Sequence, residues 1–263
     1  MKTIAICNQK GGTGKTTTAV NLSAVLAKMG SRILLVDMDP QGNATSGVGV
    51  NKNEIKSSIY DVLIHKHSLA EVIVQTAYSN LSLAPSNINL TGAEIELVGA
   101  MSRETRLKKA IDSLKSSFDY VFIDSPPSLG LLTLNTLVAA DSIIIPIQCE
   151  FYALEGVSGL LNTVNLVKDS LNSSLEIEGV LMTMADYRTN LTNEVIKEIK
   201  NFFNDKVYSS VIPRNVRLSE APSFGKPIHV YDPSSVGAVK YSELAQEFLT
   251  GQQSNQNKES KIF

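Results

Sequence analysis

Between Lys10 and Thr17 the chain packs three glycines, three threonines and two lysines: Lys10-Gly11-Gly12-Thr13-Gly14-Lys15-Thr16-Thr17. This is the equipment for holding phosphate. Glycines let the backbone curl so that successive N–H groups point inward. A helix beginning at the end of such a loop adds the positive end of its dipole. Lys15 brings an ammonium to the β- and γ-phosphates, and the Thr16 hydroxyl is placed to coordinate Mg²⁺. The usual phosphate-loop pattern has a glycine where this chain has Gln9, and a second lysine, Lys10, has entered the loop.

Two acidic motifs accompany it. In LLVDMDPQGN, an apolar run delivers Asp37 and Asp39, two carboxylates suited to a metal's water shell and to an attacking water. In YVFIDSPPSLG, four apolar residues precede Asp124, a strand-end carboxylate of the kind that holds Mg²⁺ through water. Pro126, Pro127 and Gly130 then impose an irregular loop able to sense a γ-phosphate.

These groups need a scaffold that brings strand ends together. MKTIAIC, RILLVD, YVFID, SIIIPIQ and IEGVLMT are apolar without alternation, as strands covered on both faces are. LSLAP (81–85) and VYSSVIP (207–213) are weaker candidates. Helical patterns lie between them near 16–29, 91–100, 103–117, 130–139, 153–170, 191–203 and 236–249. Gly30 reads as a stop for the first. The alternation predicts an α/β fold: a doubly wound, mostly parallel sheet with helices on both faces, in a single domain over 1–250. The polar end, 251–263, reads as a disordered tail.

The chain has 263 residues and a net charge of −2, so nucleic-acid binding would require a local basic patch. Residues 186–240 hold eight Lys/Arg against six Asp/Glu; the rest hold sixteen against twenty. On 191–203, Leu191, Val195, Ile199 and Phe202 form the expected inward stripe, while Lys197 and Lys200 share another face. Phe202 and Phe203 both read as core. Cys7 and Cys149 sit in apolar runs without CxxC spacing, which argues against an iron–sulfur or zinc site. Two free thiols and no signal peptide predict a cytoplasmic protein. No apolar run approaches the ~20 residues of a membrane span.

Taken in order, KGGTGKTTT, DMDPQGNATSG, DSPPSLG and IPRNVRLSEAPSFGKPI resemble the ParA/Soj partition ATPases of the deviant Walker A superfamily, a resemblance reaching from residue 1 to about 250. It implies a P-loop ATPase using ATP and Mg²⁺, slow without its partners. Two ATP-bound subunits would face each other, Lys10 reaching the partner's phosphates. Lys10, Lys15 and Asp39 are then the catalytic residues, Asp39 positioning the water. Thr16, Asp37 and Asp124 serve the metal, and Pro213 and Asn215 contact adenine. The dimer would bind double-stranded DNA without sequence preference through Arg188 and Arg217, helped by Lys197, Lys200 and Arg214. A ParB-type protein would stimulate hydrolysis and release it from the nucleoid. The rival readings are a MinD-like positioning ATPase, which needs a membrane-binding amphipathic end, and a nucleotide-gated switch with negligible hydrolysis.

Overall fold

The computed structural model describes residues 1–259 except Lys115, Ser116 and Tyr152. The first half runs β1 (Lys2–Ile6), α1 (Lys15–Lys28), β2 (Ile33–Asp37), α2 (Asn43–Gly47), α3 (Ile59–Leu63), α4 (Leu69–Val72), β3 (Val74–Gln75), β4 (Leu81–Ala84), α5 (Leu90–Glu96), α6 (Arg106–Asp112) and β5 (Tyr120–Asp124). The second half runs α7 (Leu131–Ala139), β6 (Ser142–Gln148), α8 (Glu155–Ser170), β7 (Glu176–Ala185), α9 (Asn190–Phe203), β8 (Val207–Pro213), α10 (Val216–Glu220), α11 (Ile228–Tyr231) and α12 (Val236–Glu259).

One sheet collects the strands in the order β3-β4-β2-β5-β1-β6-β7-β8. Every neighbouring pair is parallel except β3 with β4. The expected fold class holds, and the reason is visible in β1 and β2. Ile4, Ile6, Ile33 and Leu35 face a core shared with α1 and α12. Ala5 and Cys7 face the α7–α9 side, and Leu34 and Val36 face α3, α5 and α6. Both sheet faces are therefore covered, which is why these strands carry no polar alternation.

Helix α1 is buried on nearly every side, including Thr18, Asn21 and Ser23. Thr18 meets the Tyr241 hydroxyl of α12 at 3.2 Å, and the Asn21 side chain accepts from the Ile228 N–H at 2.7 Å. Buried polar groups on this helix thus tie it to the C-terminal elements. Gly30, at φ 101°, ends the helix, and its N–H donates to the Ala27 carbonyl at 3.0 Å.

Two expectations differ from the structure. On α9 the buried stripe is Thr192, Val195, Ile199 and Phe203, spaced three, four and four, while Leu191 and Phe202 are exposed. A helical period of 3.6 admits only one of two adjacent phenylalanines to the core. Helix α12 also continues to Glu259, past the expected tail boundary at 251. Gln252 fixes this stretch: its side chain is buried, bonds Glu178, and accepts from Lys2 Nζ at 2.8 Å. Residues 260–263 lie outside the described residues.

Candidate functional site

The phosphate loop leaves β1, the strand with β5 on one side and β6 on the other. Crevices at the carboxyl ends of such a sheet are where open α/β folds bind ligands. The loop is held from below. Asn8 is buried; its amide donates to the Pro146 carbonyl at 2.7 Å and its oxygen accepts from the Lys10 N–H at 3.0 Å. Thr183, at the end of β7, donates to the Thr13 carbonyl at 2.8 Å. Gly14 stands at φ 88° as the N-cap of α1, a left-handed turn that turns the loop into the helix.

The two lysines have different fates. Lys15 is 6% exposed, and its ammonium donates to the Lys10 carbonyl at 3.0 Å inside the curl of the loop. Burial lowers its pKa, opposed by the nearby Asp124, Cys7 and Asp39. Lys10 lies on the rim, where its ammonium meets Glu150 Oε2 at 2.9 Å with both side chains more than 40% exposed. Glu150 is in turn bonded by the Gln148 amide. Two glycines of α8 make room beside this pair: the Lys10 stem runs past Gly156, and the Gln9 amide occupies the space a side chain at Gly159 would fill. Glu150 is a partner that the sequence alone did not reveal.

Asp37 and Asp124 end adjacent strands in matching register, and both are fully buried. They differ in what surrounds them. Asp37 Oδ2 accepts from the Thr45 N–H at 2.8 Å and hydroxyl at 2.7 Å, and Oδ1 accepts from the Asp39 N–H at 3.1 Å. Thr45 accepts in turn from the Ser86 N–H at 2.9 Å. Asp37 therefore organises the loop that carries Asp39, whose own carboxylate accepts from the Gln41 N–H at 2.9 Å. Burial pushes the Asp37 pKa up to about 6 against the Thr45 bonds.

Neither Asp124 oxygen has a hydrogen-bond partner of normal geometry. Burial first, then the neighbouring Asp37, holds its pKa well above the usual carboxylate range, with Thr16 and Lys15 pulling the other way. A buried carboxylate without donors is costly, and a cation removes the cost. Among the described residues no group of three or more His, Cys, Asp or Glu is gathered to hold an ion. The buried Asp124 carboxylate beside the Thr16 hydroxyl suits Mg²⁺, which takes one or two carboxylates and completes its octahedron with phosphate and water. Thr16 and Asp124 are the residues that would hold it, with Asp37 beside them.

Next to the loop lies a cavity of about 290 Å³ lined by Gly14, Thr17, Met184, Pro213, Asn215 and Tyr241, among others. The structure thus brings the two residues expected at adenine to the phosphate loop. Asn215 Oδ1 caps α10 by accepting from the Leu218 N–H at 3.3 Å, which leaves its amide nitrogen for another partner. Met184 holds φ 53°, a strained conformation for a side chain of its size, at the cavity wall.

The basic residues are exposed, and two of them, Arg188 and Arg217, are paired with carboxylates. Arg188 forms a two-pronged pair with Asp186, which a charge on Arg214 also stabilises; the Asp186 pKa falls to about 2, with Arg188 as the main cause. Arg217 meets Glu220 at 2.9 Å and Asp232 at 3.4 Å. Arg214 also lines the cavity beside Asn215. Lys197 and Lys200 stand on the outer side of α9.

Comparison with known proteins decides the family. A family profile described as an AAA domain matches residues 1–177. The sporulation initiation inhibitor protein Soj of Bacillus subtilis (strain 168) is 60% identical over 246 residues, covering 94% of this chain and 97% of that protein. The chain belongs to the Soj/ParA family. The chromosome partitioning protein ParA of Myxococcus xanthus (strain DK1622), 51% identical over 94% of this chain and 87% of its own length, supports the same assignment. Among solved structures, a cobyrinic acid a,c-diamide synthase from Mycobacterium smegmatis with bound ATP analog and magnesium superposes with a TM-score of 0.85. It is 36% identical and 97% of each chain is covered. No described helix of this Soj/ParA chain is long and apolar enough to cross a membrane.

Proposed function

We propose that this Soj/ParA chain is an ATP- and Mg²⁺-dependent DNA-partitioning ATPase that works as an ATP-bound dimer on nucleoid DNA. The observation that carries the reading is the split between its two loop lysines: Lys15 is buried in the phosphate cradle, while Lys10 stands on the rim, paired with the partly exposed Glu150. A rim lysine is available to a second subunit's phosphates, where it stabilises charge developing on the transferred group. Lys15 and the loop N–H groups bind the β- and γ-phosphates of the subunit's own nucleotide. Asp39, set by Asp37, orients the water. The metal, when bound at Thr16 and Asp124, neutralises phosphate charge. Pro213 and Asn215 receive the adenine.

Dimerisation doubles a basic surface made of Arg188, Arg214, Arg217, Lys197 and Lys200, too sparse on one subunit for useful affinity. A ParB-type protein stimulates hydrolysis, the dimer separates, and the subunit leaves the DNA. Nothing in the basic set supplies a reading helix, so recognition is of phosphates rather than base edges. The deciding experiment is DNA binding by the purified protein with no nucleotide, with ADP, and with a slowly hydrolysed ATP analogue, at low and moderate salt. Binding with the analogue alone, weakening steeply with salt and indifferent to sequence, is expected. Equal binding in all three states would remove the ATP-gated DNA-binding reading.

A further inference from the structure

Glu94 has no part in the roles assigned above. It stands on α5, whose inner residues Leu90 and Ala93 belong to the core under β2 and β5. Its side chain turns toward the loop that follows Asp124. Oε1 is shut off from solvent and has no hydrogen-bond partner among the described residues. The carboxylate points Oε1 at Gly130, so close that a methyl group there would overlap Oε1 and stand 3.0 Å from Cδ. Gly130 is the N-cap residue of α7, and no side chain caps that helix.

The segment between these points is held at Ser125 and at the Ser128 carbonyl. Ser125 Oγ donates to the Ile6 carbonyl at 2.8 Å, and Thr133 Oγ1 to the Ser128 carbonyl at 2.5 Å. Pro127, Ser128 and Leu129 are exposed between them. Prolines have no N–H, so the donors this loop can offer a carboxylate come from Ser128 onward. A buried acceptor without a donor is unfavourable, and a conformation that supplies one is favoured by that difference.

Resting on the ATPase reading above, we propose that Glu94 is a positioning residue for hydrolysis. With nucleotide bound, its carboxylate accepts a backbone N–H from residues 128–132 and holds the Asp124–Gly130 loop in the arrangement that faces the γ-phosphate. The glycine at 130 is what admits the carboxylate.

The contact can be broken from either side. Glu94→Ala removes the acceptor; Gly130→Ala displaces it by a methyl group; Glu94→Gln keeps the shape and loses the charge. Steady-state ATP hydrolysis and affinity for a fluorescent ATP analogue are measured for each, with thermal melting as a check on folding. Both alanine variants are expected to lose roughly tenfold in kcat while KM and analogue affinity stay within about twofold, with the isosteric Glu94→Gln between them and wild type. Because both act on one contact, the double variant is expected to be no slower than the slower single. Unchanged kcat in Glu94→Ala, effects that multiply in the double variant, or a raised KM at constant kcat would each overturn the proposal. A wild-type protein without ATP turnover would overturn the ATPase reading, and this proposal with it.

Discussion

Lys10 Nζ and Glu150 Oε2 stand 2.9 Å apart within one chain, at the mouth of the phosphate loop. Both side chains are more than 40% exposed, so solvent screens the pair and it stabilises the chain by no more than ~1 kcal/mol. A restraint that weak can hold the lysine in place while no better partner is near, and yield when phosphates arrive. Glu150→Gln is therefore expected to leave melting temperature almost unchanged and to tighten ATP-analogue-dependent self-association by at most about fivefold, read by sedimentation. Lys10→Ala should abolish turnover while leaving nucleotide binding by Lys15 in place. Loss of nucleotide binding in Lys10→Ala would contradict the division of labour between the lysines.

Asp124 and Asp37 face each other as a buried acidic pair whose pKa values are raised in the folded chain. A raised carboxylate pKa means the fold holds its proton more tightly than the unfolded chain does. That contribution is fully present below the ordinary carboxylate value of 3.8 and is lost as pH rises from there through about 6, where Asp37 ionises. Asp124→Asn keeps the shape and carries no charge. In nucleotide-free, Mg²⁺-free buffer its melting temperature should exceed wild type at pH 7.5, and the difference should shrink as pH falls and vanish only below about pH 4, where the unfolded chain also holds the protons. It should also lose Mg²⁺-dependent nucleotide binding. Parallel pH–melting curves for the two proteins would refute the account of the pair.

Asp39 is placed by a chain of hydrogen bonds, from Ser86 through Thr45 and Asp37 to its own N–H. Asp39→Ala removes the carboxylate proposed to orient the water and leaves that chain intact. The expected outcome is an ATP-bound, self-associated protein that binds DNA and does not turn over. Normal turnover in single-cycle kinetics would show that another group orients the water.

Arg217 is shared between Glu220 and Asp232, so a phosphate must compete with two carboxylates for it. Arg217→Glu should abolish DNA binding in the ATP-analogue state and spare nucleotide affinity. Lys197→Ala and Lys200→Ala, which free no carboxylate partner, should each lower the slope of log affinity against log salt by about 0.9 for every phosphate left without its lysine. Slopes equal to wild type would place the DNA surface elsewhere.

Much of the fold and of the site is legible in the sequence, because its carriers are local. Asp37 and Asp124 follow uninterrupted apolar runs, and Lys15 follows a glycine loop, so strand ends and a phosphate cradle can be read directly. What escapes such reading depends on residues far apart in the chain. Glu150 meets Lys10 across 140 positions, Thr45 bridges Asp37 and Ser86, and Glu94 finds Gly130 only because α5 and α7 pack together. On α9 the apolar pattern points to Phe202, because two adjacent aromatic residues satisfy it equally well until the helix phase is fixed by Thr192 and Val195. The extent of α12 is hidden in the sequence because Gln252 is anchored by Lys2 and Glu178 rather than by an apolar face.

Gly156 and Gly159 interrupt the first turns of α8, where alanine would favour the helix by roughly 1 kcal/mol at each position. An alanine at 156 meets only the Lys10 stem, at 3.8 Å, whereas one at 159 pushes the Gln9 side chain out of its place. Ordinary selection for a firmer fold and selection for an undisturbed phosphate loop therefore pull in opposite directions at position 159 alone. A laboratory search for thermostable variants would be expected to find Gly159→Ala readily, and to find it among the stabilised proteins that work less well.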